Sequence, residues 1–90
     1  MKIEGDTIVF KSYPDRWQRE KSGDKPNTVR WLTHEESDIV NEIDRITRIV
    51  LLNTLTNERF TRIIHDRDFL GEVLGQWLWV FSWQHEEEKQ

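Results

Sequence analysis

Residues 22–30 read Ser22-Gly23-Asp24-Lys25-Pro26-Asn27-Thr28-Val29-Arg30 and force the chain to turn between two apolar segments. Gly23 can adopt the left-handed backbone conformation that ends a helix. Pro26 prevents the helix from resuming and favours an extended backbone at Lys25. The segment therefore predicts a helix that ends at Ser22 and a strand that begins after Pro26.

On that strand, Thr28 and Arg30 share one face, because side chains alternate along a strand, while Val29 and Trp31 take the other face. Lys25 should lie near the first face. One interpretation is a surface turn in which Arg30 is an exposed cross-strand partner. The other is a cleft where Lys25 and Arg30 bind an anion or a carbonyl-rich base and Thr28 supplies a hydroxyl group. A partly desolvated lysine beside an arginine has a lowered pKa and can act as a general base.

The chain has 90 residues, no cysteine, five Trp and four Phe. This length fits one small domain, predicted here as residues 1–84, followed by an acidic solvated tail at 85–90. The absence of cysteine excludes disulfides and thiol catalysis. No apolar run is long enough to suggest a signal peptide or a membrane span, so we expect a cytoplasmic protein.

The charge is distributed unevenly along the chain. Residues 1–31 carry seven Lys/Arg and five Asp/Glu, whereas residues 32–90 carry six and twelve. The overall net charge of −4 argues against tracking along duplex DNA, but a local anion site in the basic first part is compatible with it.

The first elements are predicted from local patterns. Thr7–Phe10 is rich in β-formers, which favours a strand. Ser12 could cap the following helix, with Pro14 in its first turn and Asp15 completing a capping box. Tyr13 and Trp17 would then stack on the sheet four residues apart. The charged helix residues should face water or the cleft; they are Arg16, Arg19, Glu20 and Lys21.

The later elements follow in the same way. Thr33 and Glu36 form a capping-box pattern that predicts a short helix near 34–42. Residues 45–52 and 59–64 predict a hairpin with a turn at 54–57. Residues 66–75 are expected to be a loop or one helical turn bounded by glycines. The last segment, 76–84, is apolar on both faces, so it should lie in the middle of a closed or covered sheet. About five strands with one early helix favour a small closed barrel.

The order strand, helix, Gly-x-Lys-x-x-Thr-x-Arg, strand, hairpin and final aromatic strand resembles the ASCH domain family, within the PUA-like group of small β-barrels. The match covers most of the chain. It rests on Ile8-Val9-Phe10, Trp17, Gly23, Lys25, Thr28 and Arg30, with weaker support from Phe60-Thr61-Arg62 and Val80-Phe81-Ser82-Trp83.

The resemblance implies a cleft beside the first helix and an association with RNA and modified nucleosides. Its implied ligand-binding residues are Lys25, Asn27, Thr28, Arg30 and Trp17. Some members are amidohydrolases that act on acylated cytidine, and their motif lysine and threonine fall on Lys25 and Thr28. The glutamate that those enzymes take from a later helical insertion has no match in this chain. Proximity in sequence suggests Asp66, Asp68 and Glu72 as candidates.

Three hypotheses on function therefore stay open. The first is a module that binds RNA or a nucleotide at Lys25, Thr28 and Arg30. The second is hydrolysis of an N-acylated nucleoside. The third is a phage-type interaction protein that binds a host factor through exposed Trp and an acidic face. No cofactor is expected, and His34, His65 and His85 are too scattered to suggest a metal site.

Overall fold

The computed structural model describes residues 1–42 and 44–84. Within these ranges the chain forms seven strands and two helices, which confirms the α+β class. In chain order, the elements are β1 (Lys2–Glu4), β2 (Thr7–Ser12), α1 (Pro14–Ser22), β3 (Asn27–Leu32), α2 (His34–Asn41), β4 (Arg48–Asn53), β5 (Arg59–Ile63), β6 (Asp66–Val73) and β7 (Gln76–Ser82). The tail predicted at 85–90 lies outside the described residues.

The strands form two sheets. One has four strands in the order β1-β2-β4-β5, and the other has three in the order β3-β7-β6. The strand pairs are antiparallel except β2 with β4, which is parallel. The expected closed barrel of five strands is therefore wrong for the part of the chain described. Strands β2 and β3 belong to different sheets. The Arg30 side chain on β3 connects them, because it donates hydrogen bonds to the Lys11 carbonyl and the Ser12 hydroxyl on β2.

Helix α1 begins without the predicted cap. Pro14 lies in its first turn, but the N-cap is Tyr13, whose side chain makes no capping hydrogen bond. Ser12 instead ends β2, and its buried hydroxyl accepts a hydrogen bond from Arg30 Nη2. The capping box with Asp15 is wrong for this reason.

The aromatic residues near the start of α1 differ in burial. Tyr13 precedes the helix and is 77% exposed, so the prediction that it docks on the sheet beside Trp17 is wrong. Trp17 is buried as predicted, and its indole Nε1 donates to the Leu51 carbonyl at 2.8 Å. The helix ends as predicted at Gly23, which has a φ of 91°.

The hairpins β4–β5 and β6–β7 differ in how well they are predicted from the sequence. The β4–β5 hairpin is confirmed. Residues 66–73, expected to be a loop or helical turn, form strand β6 and pair with β7. The glycines belong to the hairpin itself: Gly75 and Leu74 form its turn with positive φ, and Gly71 follows an irregularity in the register.

The core is built around β7, which lies between β3 and β6 as its two apolar faces predict. Trp79 and Phe81 are buried at 5% and 0% exposure, which confirms their predicted place in the core. Helix α2 covers the same face of this sheet, because Trp79 Nε1 donates to Ser37 Oγ at 2.9 Å. The predicted capping box of Thr33 and Glu36 is confirmed at the start of α2. Neither described helix has the length and apolar character that a membrane span requires.

Candidate functional site

The predicted cleft contains a hydroxyl group held between two arginines. Thr28 is fully buried, and its Oγ1 accepts hydrogen bonds from Arg16 Nη2 and Arg30 Nε, each at 2.9 Å. Arg16 reaches this position from α1 and also donates to the Val29 carbonyl at 3.2 Å. Two charged donors at one hydroxyl oxygen occupy both of its acceptor positions. The Thr28 hydroxyl thus holds the two guanidinium groups in place.

Arg30 is held more firmly than the sequence suggested. Besides Thr28, its guanidinium donates to the Lys11 carbonyl at 2.8 Å and to Ser12 Oγ at 2.7 Å. It also stacks over the Phe10 ring, 4.9 Å from the centroid. Burial, together with the charge of Arg16, lowers the pKa of Arg30 to about 10. The interpretation of Arg30 as an exposed cross-strand partner is wrong, because this side chain joins the two sheets.

Lys25 lies on the turn between α1 and β3, where its backbone N–H donates to the Arg19 carbonyl at 3.0 Å. Partial burial lowers the pKa of its ammonium group, and the charges of Arg16, Arg19 and Arg30 lower the pKa further. Glu20 acts in the opposite direction. Within the described residues, Lys25 forms no ion pair. The lowered pKa agrees with the sequence-based expectation for this lysine.

Glu20 is the residue that the sequence analysis missed. We expected it to face water or the cleft, yet its side chain has no exposed surface. Arg16 Nε approaches Glu20 Oε2 at 3.6 Å, and no donor of the described residues forms a hydrogen bond to either carboxylate oxygen. A buried carboxylate without hydrogen bonds depends on neighbouring cations for its stability. The available signal was its place three residues after Trp17, on the buried face of α1.

The residues of this arrangement are called the basic site below; they are Arg16, Glu20, Lys25, Thr28 and Arg30. Two further candidates are not part of it. Trp17 is only 4% exposed and belongs to the core, so its ring cannot stack on a base. Asn27 pairs with Ser82, whereas Thr28 pairs with Phe81, so Asn27 projects to the opposite face of the sheet.

The three acidic candidates also lie elsewhere. Asp66 and Asp68 pair with Ser82 and Val80, the β7 residues that face away from Thr28. Glu72 accepts a hydrogen bond from the Gly75 backbone and pairs with Trp77, beside the far end of β3. That position is four residues, or roughly 13 Å, along the strand from Thr28. The structure brings none of the three to the basic site.

Metal ligands do not gather in this region. Across residues 1–42 and 44–84, no group of three or more His, Asp or Glu side chains is arranged to hold a metal ion. His34 instead stacks against Trp77, with ring centroids 4.9 Å apart. His85 lies outside these ranges.

Comparison with known proteins gave no match to this chain among family models, curated proteins or solved structures.

Proposed function

We propose that this chain is an ASCH/PUA-like module that binds RNA or a nucleotide in the cytoplasm, with a phosphate or another anionic group held at the basic site. The observation that carries the proposal is the crowding of cations around Lys25. Burial lowers the pKa of Lys25, the charges of Arg16, Arg19 and Arg30 lower it further, and the charge of Glu20 raises it. A bound anion would relieve this repulsion and gain charge-assisted hydrogen bonds.

The residues divide into those that would contact the anion and those that support them. Lys25 forms no ion pair within the described residues, and the Arg16 side chain is 34% exposed, so both can reach a ligand. Thr28 accepts hydrogen bonds from Arg16 and Arg30, and Arg30 also donates to Ser12 on β2, so these two residues support Arg16 rather than contact the ligand. This division differs from the sequence-based hypothesis, in which Thr28 and Arg30 bind the ligand themselves.

Titration with a panel of short RNAs and nucleotides at low salt tests the proposal. Replacing Lys25 by Gln removes one contact cation, so we expect an affinity about five- to tenfold weaker and a salt slope reduced by about one. Lys2→Gln is the matched control, because Lys2 is exposed on β1, where it pairs with Glu4. The absence of binding by the wild-type protein, or equal losses in the two variants, would contradict the proposal.

Glu20→Gln sharpens the same test. The carboxylate competes with a bound anion for Arg16 and Lys25, so its neutral isostere should bind the anion more tightly than the wild-type protein does. A folded Glu20→Gln protein with unchanged affinity would show that the anion binds away from this carboxylate.

Hydrolysis of an N-acylated nucleoside is a second candidate, because Lys25 has a lowered pKa and shares the site with Glu20. Thr28 is fully buried and its oxygen already accepts two hydrogen bonds, so a water activated by Lys25 is the better nucleophile. Attack of this water on the acyl carbon would release the free amine and a carboxylic acid. Incubation with N4-acetylcytidine followed by chromatography should show release of cytidine, and Lys25→Gln should abolish it.

A further inference from the structure

A second site lies at the other edge of the three-stranded sheet, between α2 and β6. Two adjoining cavities of about 390 and 230 Å³ share Asn41, Phe69 and Trp79 in their walls. They form one continuous depression, called the acidic groove below. It lies apart from the basic site, since none of the residues of that site lines either cavity.

The floor of the acidic groove is aromatic. Phe69 is 49% exposed and packs on Trp79 with ring centroids 5.6 Å apart. Trp79 is fixed by its hydrogen bond to Ser37 on α2. Trp77 continues the floor and is half-buried. The ring faces of aromatic side chains attract cations.

The α2 side of the groove is negatively charged, and its three exposed carboxylates are Asp38, Glu42 and Asp44. Asp68 on β6 alternates with Phe69, so its side chain lies on the opposite face of the sheet. Glu42 pairs with Arg45, and Asp38 lies 3.7 Å from His34 Nε2, whereas Asp44 forms no ion pair within the described residues. The cation in the wall, Arg67, donates its hydrogen bonds to the Val40 and Ile46 carbonyls, so it is committed to the fold.

We propose that the acidic groove binds a basic segment of a partner protein, with an arginine or lysine side chain placed over Phe69 and beside Asp44. The aromatic floor matches the alkyl part and the cationic face of such a side chain. The carboxylates match its charge. The same charge repels phosphates, so a nucleic acid does not fit this groove.

The length of the groove favours a peptide over a small free cation. The cavity walls include residues from Ser37 to Asn41 and extend past the end of α2 to Asp44. One helical turn and the residues that follow it span on the order of 10 Å, which an extended peptide covers with about three residues. A groove of this length can therefore hold two cationic side chains of one segment.

Calorimetric titration of the full chain with a hexapeptide of alternating alanine and arginine tests this proposal. The matched probe replaces each arginine with citrulline, which keeps the shape and removes the charge. We expect the arginine peptide to bind at least fivefold more tightly than the citrulline peptide. We also expect it to shift the indole NMR signals of Trp77 and Trp79 but not that of Trp17.

The variant Asp38→Asn/Asp44→Asn should weaken binding of the arginine peptide at least fivefold. Its matched control is Glu4→Gln/Glu58→Gln, which makes the same change in net charge with two exposed residues outside the groove walls. Equal affinities of the two double variants, equal binding of the two peptides, or unshifted Trp77 and Trp79 signals would overturn the proposal. Spermidine that shifts the same signals at equal or higher affinity would assign the groove to free polyamines and would also overturn it.

Discussion

The basic site and the acidic groove lie at opposite edges of one sheet and hold their charges in opposite ways. Arg30, Trp79 and Phe69 are consecutive partners across β3, β7 and β6, so the two regions are separated by a single buried indole. At one edge, Arg30 is partly buried and every nitrogen of its guanidinium donates a hydrogen bond. At the other edge, Asp44 is exposed and forms no ion pair within the described residues.

This difference separates the structural use of charge from its use in binding. A desolvated charge must be paired or hydrogen-bonded, and it then becomes part of the fold. A solvated charge adds little to stability and remains available for a partner. We therefore expect substitutions at Arg30 to act mainly on stability and substitutions at Asp44 to act mainly on binding.

The largest expected effect on stability is that of replacing Trp79, whose indole lies between the two regions. Replacing Trp79 by Ala should lower the free energy of unfolding by about 3–5 kcal/mol, because it removes a 5% exposed ring and its hydrogen bond to Ser37. Trp31 is 51% exposed and gives the matched control, for which less than half of this loss is expected. Urea denaturation of both variants measures the difference. If Trp79→Ala lost no more stability than Trp31→Ala, the two edges of the sheet would not depend on the Trp79 side chain between them.

A smaller but still large effect is expected for Arg30. Arg30→Ala removes hydrogen bonds to Thr28, Ser12 and the Lys11 carbonyl, so we expect a loss of about 2–4 kcal/mol. Asp44→Asn at the opposite edge should stay within about 0.5 kcal/mol. Urea midpoints of the two variants compare the edges directly. If Arg30→Ala were as stable as the wild-type protein, the contrast between the two regions would be lost.

The smallest effect concerns the pH dependence contributed by Lys25. Its pKa in the folded protein lies below the ordinary value of 10.5, so the unfolded chain binds more protons as the pH approaches 10.5. Stability should therefore rise with pH across this interval. Lys25→Gln should lose that part of the rise and should be slightly more stable than the wild-type protein at pH 7. Urea midpoints measured from pH 7 to 10 test this, and identical pH profiles of the two proteins would contradict it.

The predictions from sequence succeeded where a local rule determines the structure. Gly23 ends α1 because few other residues adopt its φ of 91°. The two apolar faces of β7 placed it in the middle of its sheet. The prediction of a loop at 66–75 is wrong. Two glycines in a short segment usually indicate a break in a strand, but here Gly71 and Gly75 belong to a hairpin whose pairing with β7 stabilises β6.

The basic site was only partly predictable for a related reason. The turn and the alternation along β3 were enough to bring Lys25, Thr28 and Arg30 into one region. Glu20 and Ser12 were misassigned, because their burial depends on the contacts of α1 and β2 with a distant strand. The spacing of Glu20 from Trp17 indicated the buried face of α1, but the many charges of that helix favoured a solvated side chain.

The parallel pairing of β2 with β4 has a consequence for how fast the protein folds. It joins residues from opposite halves of the chain, from Thr7 with Arg48 to Ser12 with Asn53. The β4–β5 and β6–β7 hairpins, by contrast, close over short turns. Pairings distant in sequence carry a higher loop-closure entropy and form more slowly. We therefore expect the wall of the acidic groove on β6 and β7 to form early, and the contacts of Arg30 with β2 to be completed in the last step of folding.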